Sequence, residues 1–298
     1  MREVRWERMF PDELERAFAA CPLVYFAYGL CEPHGPHNAL GLDTLKAHAI
    51  GCAAARAHGG IVAPPDSWHI HELGGYAAWA ERAVGPVARA WLTAVPPWVH
   101  FKNICYHLRA ADALGFRAAI LLTGHYGPNW EDLKTLLRLV QPYVGARLYG
   151  LPDFEANQPG FDRDGRSGGD HAGKVETSLL WALEPDCVDP SRLPAPDETG
   201  PHFALGATAR EASRRVGERM VADEVAWLGT KGRELLEAYE RERPPQRLRT
   251  FEEVEALWEA VVRPQLRQFR TMQPHWDGQG AVPAGSVWAA NAAVPDRG

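Results

Sequence analysis

A short apolar run that empties into a dense polar one constrains this chain more than any other feature. Leu23-Val24-Tyr25-Phe26-Ala27-Tyr28 opens a buried strand expected from Leu23 to Leu30, and C-E-P-H-G-P-H-N-A-L-G-L-D-T, residues 31–44, comes at once after it. An extended chain alternates its faces with a period of two, so Glu32 and His34 face the same way, while Pro33 and Pro36 keep the segment out of a helix. Asp43 stands just before a helical pattern, where it is expected as an N-cap with a second oxygen free to face the same point. Imidazole nitrogen with several carboxylate oxygens is the donor set of a zinc, manganese or iron site. A polar turn with a capping aspartate would account for any one of these residues. It does not account for the whole set beside a buried strand.

The next segments set the architecture. Leu45, His48, Ala49, Cys52 and Ala55 are spaced for a helix from Thr44 to His58, Gly59-Gly60 stops it, and Ile61 to Pro64 is a short strand. Strand, helix, strand is the unit that builds a parallel sheet, and such sheets gather their ligands at the carboxyl ends of the strands. The turn at the end of each further strand is therefore a place to look for chemistry. After the second comes P-P-D-S-W-H-I-H-E-L-G-G, a candidate substrate loop carrying Trp68, His69 and His71, whose histidines read most simply as exposed loop residues. A third strand from Arg117 runs into T-G-H-Y-G-P-N-W, which puts His125 at the same sheet end as Glu32, His34 and Asp43. Tyr126 and Asn129 in that turn are further candidate substrate contacts.

Ala146 to Leu151 is a fourth strand, and residues 153–169 have no periodicity. That long loop ends in G-D-H-A-G-K-V-E-T-S, where Asp170 and His171 have acid–base character and Glu176 lies about one helical turn further on. Helical patterns cover Tyr76 to Thr93, Phe101 to Leu114, Ala207 to Arg241 and residues 250–270. Residues 1–270 read as one domain and 271–298 as an irregular tail, either partly ordered or an arm onto a neighbouring subunit.

Charge and composition exclude several classes. A net charge of −6 without a dominant basic cluster argues against nucleic acid as a partner. No apolar run approaches bilayer length, and the N-terminus lacks the apolar core of a signal peptide, so a cytoplasmic protein with no membrane partner is expected. The five cysteines are widely spaced and never in a C-x-x-C pair, as reduced thiols are.

Three segments, E-P-H-G-P-H with G-L-D-T, T-G-H-Y-G-P-N, and D-H-A-G-K-V-E-T-S, occur in an order that resembles the creatininase family of amidohydrolases, across roughly residues 22–240. The resemblance implies an α/β fold of three layers, α/β/α, around a largely parallel central sheet, two divalent metal ions per chain (Zn, Mn or Fe), and hydrolysis of a C–N bond in a cyclic amide, formamide or modified peptide. Glu32, Asp43 and His125 look like ligands of one ion, His34 and Asp43 of the other, with Asp43 bridging. Creatinine-hydrolysing relatives carry a glutamate where this chain has Gly127, so Glu176 is the expected replacement, with Asn129 as a weaker one. His171 matches the catalytic histidine, with Asp170 beside it. In such a site the ions would activate a shared water as hydroxide, and His171 would protonate the leaving nitrogen. The resemblance further implies a small-molecule amide substrate and a homo-oligomer, a hexamer in the family. Residues 154–169 contain no tryptophan to enclose creatinine, so creatinine itself is not the expected substrate. The alternatives are a dinuclear metallophosphoesterase, with Lys46, Arg163 and Arg166 as phosphate-facing cations, and a non-catalytic metal-binding protein.

Overall fold

A computed structural model describes residues 3–71, 75–157, 170–245, 248–273 and 282–291. Its centre is a four-stranded sheet in which β1 (Leu23–Tyr28), β2 (Ile61–Val62), β5 (Ala118–Thr123) and β6 (Arg147–Pro152) lie in the order β2-β1-β5-β6, all parallel. β1 and β5 pair along their whole length, Leu23 opposite Ala118 and Tyr28 opposite Thr123, so both chains leave the sheet at the same level. Both strands are buried on both faces, as parallel sheets covered by helices are.

Alternate residues of each strand feed separate cores. Val24, Phe26, Tyr28, Ala119 and Leu121 pack against α1 (Pro11–Ala20), α4 (Pro97–Leu114), α5 (Asn129–Val140) and α8 (Phe251–Leu257). Leu23, Tyr25, Ala27, Ile120 and Leu122 pack against α2 (Leu42–His58), α6 (Lys174–Leu183) and α7 (Arg214–Glu242). The result is three layers, α/β/α, as the resemblance implied.

Several boundaries differ from the sequence expectation, each for a local reason. The helix expected over Tyr76 to Thr93 is α3 (Gly75–Ala83) alone, because Gly85 takes a left-handed φ of 83° and Pro86 comes directly after it. The chain then forms β4 (Ala94–Val95), which pairs in parallel with β3 (His69–Ile70) in a second small sheet. α7 begins at Arg214 and not at Ala207, since Ser213 caps it, its Oγ accepting from Val216 N at 3.3 Å. The helix expected over residues 250–270 is interrupted. α8 passes into a π-turn at Trp258–Val262 and a 3-10 stretch at Arg263–Gln268, where Pro264 cannot donate to the preceding turn. Residues 282–291 are irregular yet docked: Trp288 is buried with Ala77, Ala80, Val84 and Ala204. Most of the expected loop at 153–169 lies outside the described residues.

Candidate metal centre and active site

The site forms where β1 and β5 end against the first turn of α2. A Cβ on Gly124 would lie 2.0 Å from the Asp43 carbonyl oxygen, and one on Gly29 would lie 2.4 Å from Thr44 N. Only glycine at the two strand exits lets the helix start sit directly on them, which brings Asp43 beside His125. Asp43 is not the N-cap. Gly41 holds that position without a side-chain cap, and the Asp43 carboxylate turns from the backbone towards the histidines.

Four of the expected residues surround it. His34 Nε2 lies 3.3 Å from Asp43 Oδ1 and 3.7 Å from both Glu176 Oε2 and Glu32 Oε1. His125 Nδ1 lies 2.8 Å from Glu32 Oε1 and 3.4 Å from Asp43 Oδ2. The two oxygens of Asp43 thus face different histidines. His34 Nδ1 donates to the Glu32 carbonyl at 3.0 Å, which leaves Nε2 as the nitrogen that faces the carboxylates. Asp43 Oδ1 and Oδ2, Glu176 Oε1 and His34 Nε2 are buried and make no hydrogen bond of ordinary geometry. Three buried carboxylates in one cavity are costly without a cation among them. The donors also fall into three overlapping groups able to hold a metal ion: Glu32, His71 and His125; His34, Asp43 and Glu176; Glu32, His34 and His171. The residues present fit divalent metal ions.

The electrostatics describe the same need. Burial disfavours the charge on Glu32, yet the facing His125 and His71 hold it well below the ordinary carboxylate range. Burial likewise opposes a charged His34, but the neighbouring Asp43 and Glu176 raise it to about 9. Glu176, where burial dominates, is pushed up.

The remaining candidates divide between the cluster and its surroundings. His71 is buried, its Nε2 2.9 Å from Glu32 Oε2, and His69 is buried with Nδ1 donating to the Ile70 carbonyl at 3.1 Å and Nε2 3.3 Å from Thr123 Oγ1. The exposed-loop account of both histidines is therefore corrected: the β3–β4 pairing draws this stretch inward. Trp68 is 59% exposed and lines a groove of about 1420 Å³ with Trp98, Tyr106 and Trp258, a lining that includes none of Glu32, His34, Asp43, His125 and Glu176. Asn129 Oδ1 accepts from Thr123 Oγ1 at 3.1 Å. Tyr126 is buried and donates to Asp153 Oδ1 at 3.0 Å. His171 stacks on His34 with ring centroids 4.3 Å apart and donates from Nε2 to the Pro33 carbonyl at 2.7 Å. Asp170 is engaged at the start of α6, its carboxylate accepting from Val175 N at 2.6 Å, Glu176 N at 3.0 Å and Thr208 Oγ1 at 3.0 Å.

Sequence reasoning missed Lys46 and Asp153 as a pair. Lys46 is fully buried, its Nζ 2.9 Å from Asp153 Oδ2, 3.9 Å from Glu176 Oε1 and bonded to the Gly124 carbonyl. It is not a rim cation for phosphate. Two signals were present: Lys46 lies three residues after Asp43 on one helix face, and Asp153 directly succeeds a strand at the ligand-bearing end. Trp79 meets the His171 ring edge-on, centroids 4.9 Å apart.

Comparison with known proteins places this geometry. A family model described as creatininase, creatinine amidohydrolase, matches residues 7–242. The mycofactocin precursor peptide peptidase of Mycobacterium ulcerans (strain Agy99) is 26% identical over 176 residues, which is 58% of this chain and 63% of that protein, so the chain spans less than two thirds of this relative. A crystal structure of creatinine amidohydrolase (creatininase) shares 21% identity at a TM-score of 0.59, covering 82% of this chain and 100% of its own. A manganese form of creatininase aligns at 22% identity and TM-score 0.58, with coverage of 82% and 100%. A putative creatinine amidohydrolase from Bacteroides fragilis NCTC 9343 aligns at 19% identity and TM-score 0.61, covering 79% and 97%. With the family match running from before α1 to the last residue of α7, and with the same fold in the solved structures, this chain belongs to the creatininase family of amidohydrolases.

Proposed function

We propose that this chain hydrolyses a C–N amide bond in a modified peptide or related small amide, with two divalent cations, zinc, manganese or iron, held in the carboxylate–histidine cluster. The observation that carries the reading is the division of Asp43, one oxygen towards His34 and the other towards His125, with both oxygens buried and otherwise unpartnered. Glu32, His125 and Asp43 would hold one cation, with His71 beside them; His34, Asp43 and Glu176 would hold the other. When bound, the cations supply a Lewis acid for the scissile carbonyl and lower the pKa of an attacking water.

The chain's own residues do the rest. Because the Pro33 carbonyl only accepts, His171 Nε2 carries the proton and Nδ1 a lone pair. Burial disfavours a charge on His171, so the resting ring is neutral and presents its Nδ1 lone pair to a proton. Returning that proton to the departing nitrogen converts a poor leaving group into an amine. Asp170 acts at one remove: it fixes the α6 start from which Glu176 reaches the cluster.

A modified peptide is favoured as substrate class because the curated relative is a precursor peptide peptidase. The phosphoesterase reading loses Lys46 to the interior, and Arg163 and Arg166 lie outside the described residues. The test is a hydrolysis screen of formamides, cyclic amides and short peptides with added manganese, zinc or iron, beside elemental analysis of the purified protein and of Asp43→Ala. Amide hydrolysis that tracks metal content, with both lost in Asp43→Ala, is the expected result. Full metal content in Asp43→Ala would remove the bridging role, and cleavage of phosphoesters alone would replace the amidohydrolase reading.

A further inference from the structure

α3 lies over His171. The Trp79 indole approaches the His171 ring edge-on, centroids 4.9 Å apart at 78°, and His171 is stacked in turn on His34. A nine-residue helix has little stability of its own, so something must hold it there. Part of the hold comes from far along the chain. Trp288, 1% exposed, fills the space against Ala77, Ala80 and Val84, and Ser286 Oγ donates to the Glu81 carboxylate. Trp288 N also donates to Ser286 Oγ at 3.1 Å, so the turn and the indole act as one unit.

The C-terminal end of α3 is also tied to the ligand loop. Ala204 N donates to the Ala83 carbonyl at 2.7 Å, and the Phe203 carbonyl accepts from Gly35 N at 2.7 Å, one residue beyond His34. His202, Phe203 and Ala204 all take left-handed φ angles, 41°, 59° and 61°, which non-glycine residues adopt only when their surroundings hold them. Residues 282–291 lie outside the stretch 7–242 that the family model matches. This hold on α3 thus comes from a stretch beyond the family-matched residues.

We propose that the segment around Trp288 is a strap belonging to the active site, which keeps Trp79 against the catalytic histidine and closes that side of the site. Trp79 and Trp288 are positioning residues: neither need touch substrate. Calling His171 catalytic rests on the function proposed above, but the strap can be tested without any substrate. The manganese-loaded protein is treated with diethyl pyrocarbonate, and the rate of modification at each histidine is read by peptide mass spectrometry. Trp288→Ala and Trp79→Ala are expected to raise the rate at His171 roughly fivefold by local opening, while the buried His100 and the metal content stay unchanged. Trp288→Phe should restore most of the protection, and Ser286→Ala, a milder change, should raise the rate about twofold. An unchanged rate at His171 in both tryptophan variants, or a parallel rise at His100, would overturn the strap; if Trp288→Ala does not fold, Ser286→Ala and Trp79→Ala decide it. Failure of the amide screen with intact labelling results would leave the strap standing and remove only the proposed function.

Discussion

Asp43 stands between two imidazoles with neither oxygen otherwise engaged, so under the proposed two-cation site its neighbours set how many ions are held. Gly127 offers the cluster no side chain, and Glu176 Oε2 is the carboxylate oxygen that reaches His34 Nε2 from α6. In Glu176→Gln, elemental analysis should therefore show one metal lost per chain, with the other retained. Asn129→Ala should keep both, since the Asn129 amide oxygen is engaged by Thr123; loss of an ion in that variant instead would reverse the assignment. A second residue, remote from the cluster, sets a pH dependence. Glu224 on α7 is buried and accepts from Ala156 N at 2.6 Å and Asn157 Nδ2 at 3.3 Å, and burial pushes it up to about 8 from an ordinary 4.5. The folded state thus holds a proton that the unfolded state has released, so stability falls as pH rises from about 4.5 to about 8. Glutamine keeps the accepting oxygen and removes the titration. Glu224→Gln should melt close to the native chain at pH 5 and be more stable at pH 8.5 by on the order of 2 kcal/mol; equal melting at both pH values would refute the assignment.

At the scale of elements, close backbone contact organises both the site and its support. A Cβ on Gly217 of α7 would fall 1.8 Å from the Ser178 carbonyl oxygen of α6, so the helix that carries Glu176 is set by how closely α7 crosses it. Gly217→Ala should cost about 1–3 kcal/mol in thermal denaturation, because the two helices must separate. An exposed control such as Ala222→Ser should change little. These contacts also mark what the sequence could tell. β1 and β5 were legible because six-residue apolar runs bounded by polar turns have few other readings, and their exits, with Glu32, His34 and His125, came from the parallel-sheet rule. β3 and β4 were not legible, since two residues carry no period, and with them went the burial of His69 and His71. The end of α3 was signalled by Gly85-Pro86, yet the apolar spacing beyond it imitated a helix. The π-turn after α8 depends on packing around Trp258 that periodicity does not encode. Trp288 lay in a stretch without any pattern, and its role comes from contacts more than 200 residues away in sequence.

At the scale of the whole molecule, the surface leaves large apolar side chains in water. Phe10, Trp68, Trp91 and Phe251 are each more than half exposed, whereas the long α7 spends its apolar stripe on the sheet. A homo-oligomer is the expected state, and light scattering across a micromolar dilution series should report more than one chain per particle. A monomer throughout would refute it. The buried lysine has a consequence for how far the fold depends on metal. Among the described residues Lys46 is the one lysine or arginine fully removed from solvent, and it lies between Asp153 and Glu176 at the edge of the carboxylate cluster. A fixed internal cation beside the acids softens their mutual repulsion, so the fold is expected to depend less on a bound metal ion than the carboxylates alone would require. Lys46→Met tests this. Its metal-free form is expected to lose about 3–5 kcal/mol in thermal melts, the cost of leaving a buried charge without its partner, while the manganese-saturated form loses less. Equal losses in the metal-free and manganese-saturated forms would show that Lys46 does not substitute for a metal ion in balancing the acids.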